Sequence, residues 1–143
     1  MQATAKREVV EAIMTAWSKL DADGVLELLC DDVEHHYLVG ERPLQGKEWV
    51  RKFLTRMAQH TQALENWRIV RCAETDDALL LEGVDDYISS EGVRVRYPYM
   101  GVFQFRDGKV SHWRDYCDAG LISRMREGES PPVWLEALIA ETP

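Results

Sequence analysis

The sequence predicts an α+β fold in which N-terminal helices pack on one face of a curved antiparallel sheet. Three observations carry the prediction. In the N-terminal part, apolar residues recur at the spacing of a helix face. From Asn66 onward the period switches to two, as in strands with one buried face. The alternating segments that follow are joined by links short enough to be hairpin turns, so neighbours run antiparallel.

The first helix is expected over 4–20, where Val9, Val10, Ile13, Met14, Trp17 and Leu20 form one stripe. Residues 21–24 turn, and Asp23 is the expected N-cap of a short helix carrying Val25, Leu26, Leu28 and Leu29. The run DDVEHHYLVG reads as a short strand with Val33, His35 and Tyr37 on one side, followed by a loop over 40–46. A third helix over 47–60 carries Trp49, Val50, Phe53, Leu54 and Met57. Strands follow at 67–73, 78–89, 93–105 and 109–117. In the third of these, Val93, Val95, Tyr97, Tyr99, Gly101, Phe103 and Phe105 share the face expected to be buried, while Arg94, Arg96 and Gln104 lie on a solvated face. After Asp118 a short helical piece runs to Arg126. Residues 130–132 then cap a last helix over 133–141, whose apolar side holds Trp134, Leu135, Leu138 and Ile139. No repeat or linker divides the chain. Residues 1–143 are expected to form one domain, with 131–141 as a lid or a dimer element.

A chain of 143 residues can bury a core and still leave a pocket. Its 45% hydrophobic and 29% charged residues are ordinary for a globular protein, so the composition selects no special class. The net charge of -8 argues against a nucleic-acid partner, which needs clustered Lys and Arg. Cys30, Cys72 and Cys117 are odd in number and show no CxxC spacing, which points to a reducing compartment. The N-terminus lacks an apolar signal core, and no apolar run approaches the ~20 residues of a membrane span. A cytoplasmic protein without a membrane partner is expected.

The stretch WRDYCD, 113–118, places Trp113, Asp115 and Cys117 on one strand face. Upstream, LLLEGVDDYI places Leu79, Leu81, Gly83, Asp85 and Tyr87 on one face. Two strands can therefore each send an aspartate into an apolar, aromatic interior. The competing reading, that both face solvent, is the ordinary one for a strand aspartate. Asp86, in the opposite phase, reads as a surface residue. His35 and His36 point to opposite sides and make a poor metal pair, so no metal is expected. His35 reads equally as a hydrogen-bonded core histidine or as a cavity base. Tyr97, Tyr99 and Tyr87 read first as core aromatics and second as ligand contacts. Cys117 reads as a small buried hydrophobe.

The order helix, helix, strand, helix, then four-strand meander resembles the nuclear-transport-factor-like (cystatin-like) cone. Ketosteroid isomerases, SnoaL-like polyketide cyclases and scytalone dehydratase share that cone. More specifically, GVFQFRDGKVSHWRDYCD, 101–118, is similar to the corresponding segment of limonene-1,2-epoxide hydrolases. The resemblance implies a cone-shaped sheet with the N-terminal helices on its concave side, a homodimer and no cofactor. In that family the aspartate of the WRDY motif is the general base for a water. A second aspartate, in a Glu-Arg-x-Asp stretch, protonates the epoxide oxygen, and the arginine lies between the two. On this resemblance Asp115 matches the base, Asp85 the acid and Trp113 the family's tryptophan, while His35 and Tyr37 stand at the Tyr-x-Asn pair that holds the water. Glu82, Gly83 and Val84 occupy the Glu-Arg-x positions, so the arginine is missing. Without it the two carboxylates are expected to titrate as a unit, with one pKa raised. The space beside Gly83 is expected either to enlarge the pocket or to be refilled by another group.

The expected function is cofactor-independent acid–base chemistry on a small apolar molecule, whether terpenoid, epoxide or polyketide-like. Epoxide hydrolysis leads, with Asp115, Asp85, His35 and Tyr37 as catalytic groups and Trp113, Tyr97, Tyr99, Gly83 and Cys117 around the substrate. Cyclisation, isomerisation or dehydration in the same pocket is the alternative, with Asp115 and His35 removing a proton next to a carbonyl. A non-catalytic binding domain is the third reading.

Overall fold

The structure is a computed structural model that describes residues 3–143. Helix α1 (Ala5–Ser18) starts where the Thr4 hydroxyl accepts the Arg7 amide at 3.2 Å, and it buries Val10 and Ile13. Helix α2 (Ala22–Leu26) is capped by Asp21, not Asp23: the Asp21 carboxylate accepts the Gly24 amide at 2.9 Å. Asp23 sits in the first turn and pairs with Arg51. Leu29 leaves the helix and opens strand β1 (Leu29–His36), since an apolar run this short has no period that separates helix from strand. Helix α3 (Lys47–Gln59), after β2 (Leu44–Gln45), buries Val50 and Leu54. Trp49 falls at the margin of that stripe and is exposed, with the Lys52 ammonium 4.6 Å from its ring centre.

The remaining strands are β3 (Thr61–Leu64), β4 (Arg68–Glu74), β5 (Ala78–Ser89), β6 (Arg94–Arg106) and β7 (Lys109–Tyr116). The sheet order is β2-β1-β7-β6-β5-β3, with β4 also paired to β5. The meander β4-β5-β6-β7 is antiparallel as expected, but β1 joins β7 in parallel, so the sheet is mixed. Strand β3 was not foreseen, because TQAL is too short to show an alternation. It pairs with the second half of β5, while β4 pairs with the first half. Between them the chain crosses at 65–67, where the Glu65 and Asn66 amides both donate to the Asp86 carbonyl, at 3.0 and 3.2 Å. This shared edge lets the sheet curl into a half-barrel around the helices. The result is an α+β cone.

One core joins α1, α2 and α3 to the inner face of the sheet through Ile13, Val25, Val50, Leu79, Leu81, Phe103 and Val110. A smaller cluster, Tyr87, Val95, Leu121 and Met125, seats helix α4 (Ala119–Arg126) on the far ends of β5 and β6. Asp118 caps that helix by accepting the Leu121 amide at 3.1 Å.

The outer face departs from the sequence expectation. Asp86 is 1% exposed rather than on the surface. Its carboxylate takes the Arg94 guanidinium in a two-point contact, at 3.0 and 2.8 Å, with Arg96 at 3.5 Å and Arg68 at 4.0 Å. Arg96 is therefore a buried-side partner, not part of a solvated stripe. Helix α5 (Leu135–Ile139), shorter than expected, lies over this face: Glu136 pairs with Arg96 at 2.5 Å, and Glu141 just beyond the helix pairs with Arg71. Leu135 is buried, whereas Trp134 and Val133 are exposed. Among the described residues, no helix is long and apolar enough to cross a membrane.

Candidate active site

The inward side chains of β5, β6 and β7 meet those at the end of β1 in a cavity of about 350 Å³. That volume suits a small molecule, for which sites of ~300–1,000 Å³ are usual. Trp17 of α1, with Phe53, Leu54 and Met57 of α3, forms one wall. The other end is closed by α4, through Ala119, Ile122, Ser123 and Arg126. A second, more open groove of about 520 Å³ runs along α1 and 64–69, but neither cavity aspartate lines it.

Asp85 and Asp115 both line the cavity, as the strand phases predicted. They sit in different hydrogen-bonding environments. Asp85 accepts from the Tyr97 hydroxyl at 2.9 Å on one oxygen and from the Asp86 amide at 3.0 Å on the other. Among the described residues, Asp115 accepts only from the Trp113 indole N–H, at 3.1 Å, and its second oxygen has no partner. Burial raises both carboxyls above the usual range. For Asp85 the two donors oppose that rise, while the Asp86 charge adds to it. Asp115 is pushed up to about 8, mainly by burial and further by the Asp85 charge, with only the Trp113 bond opposing. Asp115 keeps partial solvent access, since its free oxygen faces the cavity and not packed protein.

His35 is 2% exposed and stacks on Trp113, with ring centres 4.3 Å apart and Phe53 edge-on at 5.7 Å. Among the described residues, neither ring nitrogen has a hydrogen-bond partner. Burial lowers its pKa to about 3, and the neighbouring His36 adds to the effect, so the ring is neutral near pH 7. It makes no hydrogen bond to Asp115, which removes the geometry expected of a His–Asp base pair. Tyr37 lies just past the end of β1, stacked on Phe53 at 4.6 Å, and lines the cavity. Tyr97, Tyr99, Trp113 and Cys117 line it as well. Burial, with Asp115, Asp85 and Asp118 nearby, pushes the Cys117 thiol up to about 11, so it is no nucleophile.

Gly83 does not line the cavity. A Cβ there would stand 2.8 Å from the Arg68 carbonyl oxygen and 2.8 Å from Tyr99 Cε1. The space is thus refilled, by the Tyr99 ring. Any side chain at 83 would force a backbone and an aromatic ring apart.

Sequence reasoning missed Trp67 and the α4 residues as cavity walls. It had placed Phe53, Met57 and Trp17 on buried helix faces without assigning them to the cavity. Arg126 is the clearest omission: it donates to the Tyr87 hydroxyl at 3.1 and 3.3 Å in the cavity wall. The only sequence signal for it was the predicted helix after Asp118.

The curled half-barrel sheet, with an apolar cavity lined by two carboxyls, has the nuclear-transport-factor-like fold. A protein of that class from Burkholderia pseudomallei shares the fold at 18% identity and a TM-score of 0.76, over 86% of this chain and 98% of its own. The sequence matches the family of the limonene-1,2-epoxide hydrolase catalytic domain over residues 4–126, and the chain belongs to that family. The epoxide hydrolase EphG of Mycobacterium tuberculosis is 34% identical over 109 residues, covering 76% of this chain and 70% of that protein. The structure of a limonene-epoxide-hydrolase-like epoxide hydrolase from M. tuberculosis superposes with a TM-score of 0.73, at 29% identity, over 95% of each chain.

Proposed function

We propose that the protein hydrolyses an epoxide on a small apolar molecule, using Asp85 and Asp115 as an acid–base couple that holds one proton. The observation that carries this is the pair of carboxyls lining one apolar cavity, with no cation bonded to either. Like charges in a low-dielectric site disfavour double ionisation, so a single proton stays with the pair near neutral pH.

The hydrogen bonds suggest where that proton rests. Both Asp85 oxygens already accept donors, which suits a carboxylate. The free Asp115 oxygen faces the cavity and can carry an O–H. Asp115 then protonates the opening epoxide oxygen and Asp85 takes the proton from the attacking water, the reverse of the order implied by resemblance. The water oxygen forms a bond to carbon as the carbon–oxygen bond of the ring breaks. Passing one proton from Asp85 back to Asp115 restores the starting state. Neutral His35 lines the cavity with both ring nitrogens buried and unpartnered among the described residues, so a small rotation of the ring would be needed for it to meet water or a polar substrate group; Tyr37 lies beside it.

The same donors and base also suit proton abstraction next to a carbonyl. That second reading is favoured by the aromatic filling beside Gly83, which removes the guanidinium of the hydrolase pattern.

Incubation with limonene, cyclohexene and styrene oxides tests hydrolysis, with diol as the readout. Asp85→Asn is expected to cost ~10²–10⁴-fold, and Asp115→Asn less, because its amide can still hydrogen-bond the opening oxygen, which then takes its proton from water. Turnover should fall as pH rises through about 8, when the pair loses its last proton. No diol from any of the three, with the fold intact, would sink hydrolysis. A larger loss from Asp115→Asn would restore the order implied by resemblance.

A further inference from the structure

We infer that the Tyr99 hydroxyl, held by the Trp67 indole, is a second proton-donating group for the substrate's oxygen. The inference rests on the acid–base reading above and adds to it a group that activates the substrate.

Tyr99 lies opposite Gly83 in the β5–β6 register, and its ring covers the bare backbone there. The other edge of the ring reaches Gly101, where an added Cβ would stand 3.2 Å from Tyr99 Cε2 and 3.4 Å from Asp115 Oδ1. Two glycines, one on each neighbouring position, thus let an aromatic ring lie between β5 and the Asp115 carboxyl. The ring is 6% exposed, and that exposure is to the cavity.

The hydroxyl's bonding then decides its chemistry. The Trp67 indole N–H donates to the Tyr99 oxygen, so that oxygen is engaged as an acceptor. Its own O–H has no acceptor among the described residues, and the occupant of the cavity has to supply one. A phenol that accepts a hydrogen bond is a better donor in turn, because the two bonds polarise each other. Burial, with Asp115 and Asp85 nearby, holds the phenol well above its ordinary pKa, so it stays protonated at neutral pH. Tyr97, two residues earlier on the same strand, is the internal contrast: its O–H is spent on Asp85. One tyrosine stabilises the base and the other is left free to donate. The chemical class implied for the ligand is an apolar body with one neutral oxygen acceptor, as in an epoxide or a ketone.

The test uses indan-1-one and indane, which share a shape and differ by one carbonyl acceptor. Calorimetry gives both affinities, and infrared difference spectra give the carbonyl stretch of the bound ketone. The wild-type protein should bind the ketone roughly tenfold tighter than indane, a ratio typical of one added hydrogen bond. Its carbonyl band should shift to lower frequency. Tyr99→Phe should reduce both the preference and the shift severalfold while keeping indane affinity, the Asp115 O–H accounting for what remains, and Trp67→Phe should weaken the shift. If Tyr99→Phe does not fold, 3-fluorotyrosine at position 99, a stronger donor, should enlarge the shift. An unchanged preference and shift in Tyr99→Phe, no change with fluorotyrosine, or no wild-type preference would overturn the inference. Neither indane nor indan-1-one carries an epoxide, so a failure here is separate from a failure to form diol.

Discussion

Asp85 and Asp86 are neighbours on β5, the first half-buried at the cavity and the second fully buried, and their surroundings are opposite. Asp86 faces outward into guanidinium groups, with Arg94 gripping both oxygens and Arg96 and Arg68 close behind. Asp85 faces inward, where only a tyrosine hydroxyl and a backbone amide reach it. A buried carboxylate surrounded by cations is a fixed charge that ties strands together. A buried carboxylate without a cation has a raised pKa and can exchange a proton in the range where enzymes work. One residue of register therefore separates a structural anchor from a candidate catalytic group.

The contrast is sharpest if each aspartate is removed in turn. Asp86→Ala leaves Arg68 and Arg96, each largely buried, without their shared anion. A loss of about 3–5 kcal/mol in urea denaturation is expected, the range for breaking a buried ion pair from one side. Arg94→Ala removes the two-point contact but leaves the other arginines in place, so about 1–3 kcal/mol is expected from the same measurement. A loss below about 0.5 kcal/mol, the level of ordinary surface changes, would mean that the outer cluster does not anchor the sheet.

The cavity carboxyls should behave the other way, with the smallest effect at low pH. Asp115 has a folded pKa of about 8 against an ordinary 3.8. Its contribution to stability is thus fully present below pH ~4 and is lost as pH rises through about 8. The raised Asp85 adds to the same trend. Asp115→Asn should leave the urea midpoint at pH 5 nearly unchanged and flatten its decline toward pH 9. A wild-type midpoint that does not fall over that interval would contradict the raised carboxyl.

Much of this was legible in the residues. Strict alternation in VRVRYPYMGVFQF fixed which side of β6 is buried, and the WRDY stretch put Asp115 and Trp113 on that same inner side. The outer face was misread for a physical reason. Alternation separates inside from outside only while the outside is wet, and here the tail folds Leu135 and Glu136 over it. Asp86 then needs cations that the pattern had assigned to solvent. Strand β3 was invisible because its partner is far away in the chain, from Leu64↔Tyr87 (23 apart) to Thr61↔Ser89 (28 apart), and four residues carry no period. The refilling of Gly83 by Tyr99 depends on a cross-strand approach of 2.8 Å, which no spacing within one strand encodes.

Carboxyl ¹³C NMR of aspartate-labelled protein, titrated from pH 3 to pH 10, bears most directly on whether the couple holds a proton. One cavity resonance should titrate near pH 8 and vanish in Asp115→Asn, while the Asp85 resonance, which titrates with Asp115 still neutral, should keep its midpoint. Midpoints below 5 for both Asp85 and Asp115 would contradict the one-proton couple and the acid–base chemistry built on it.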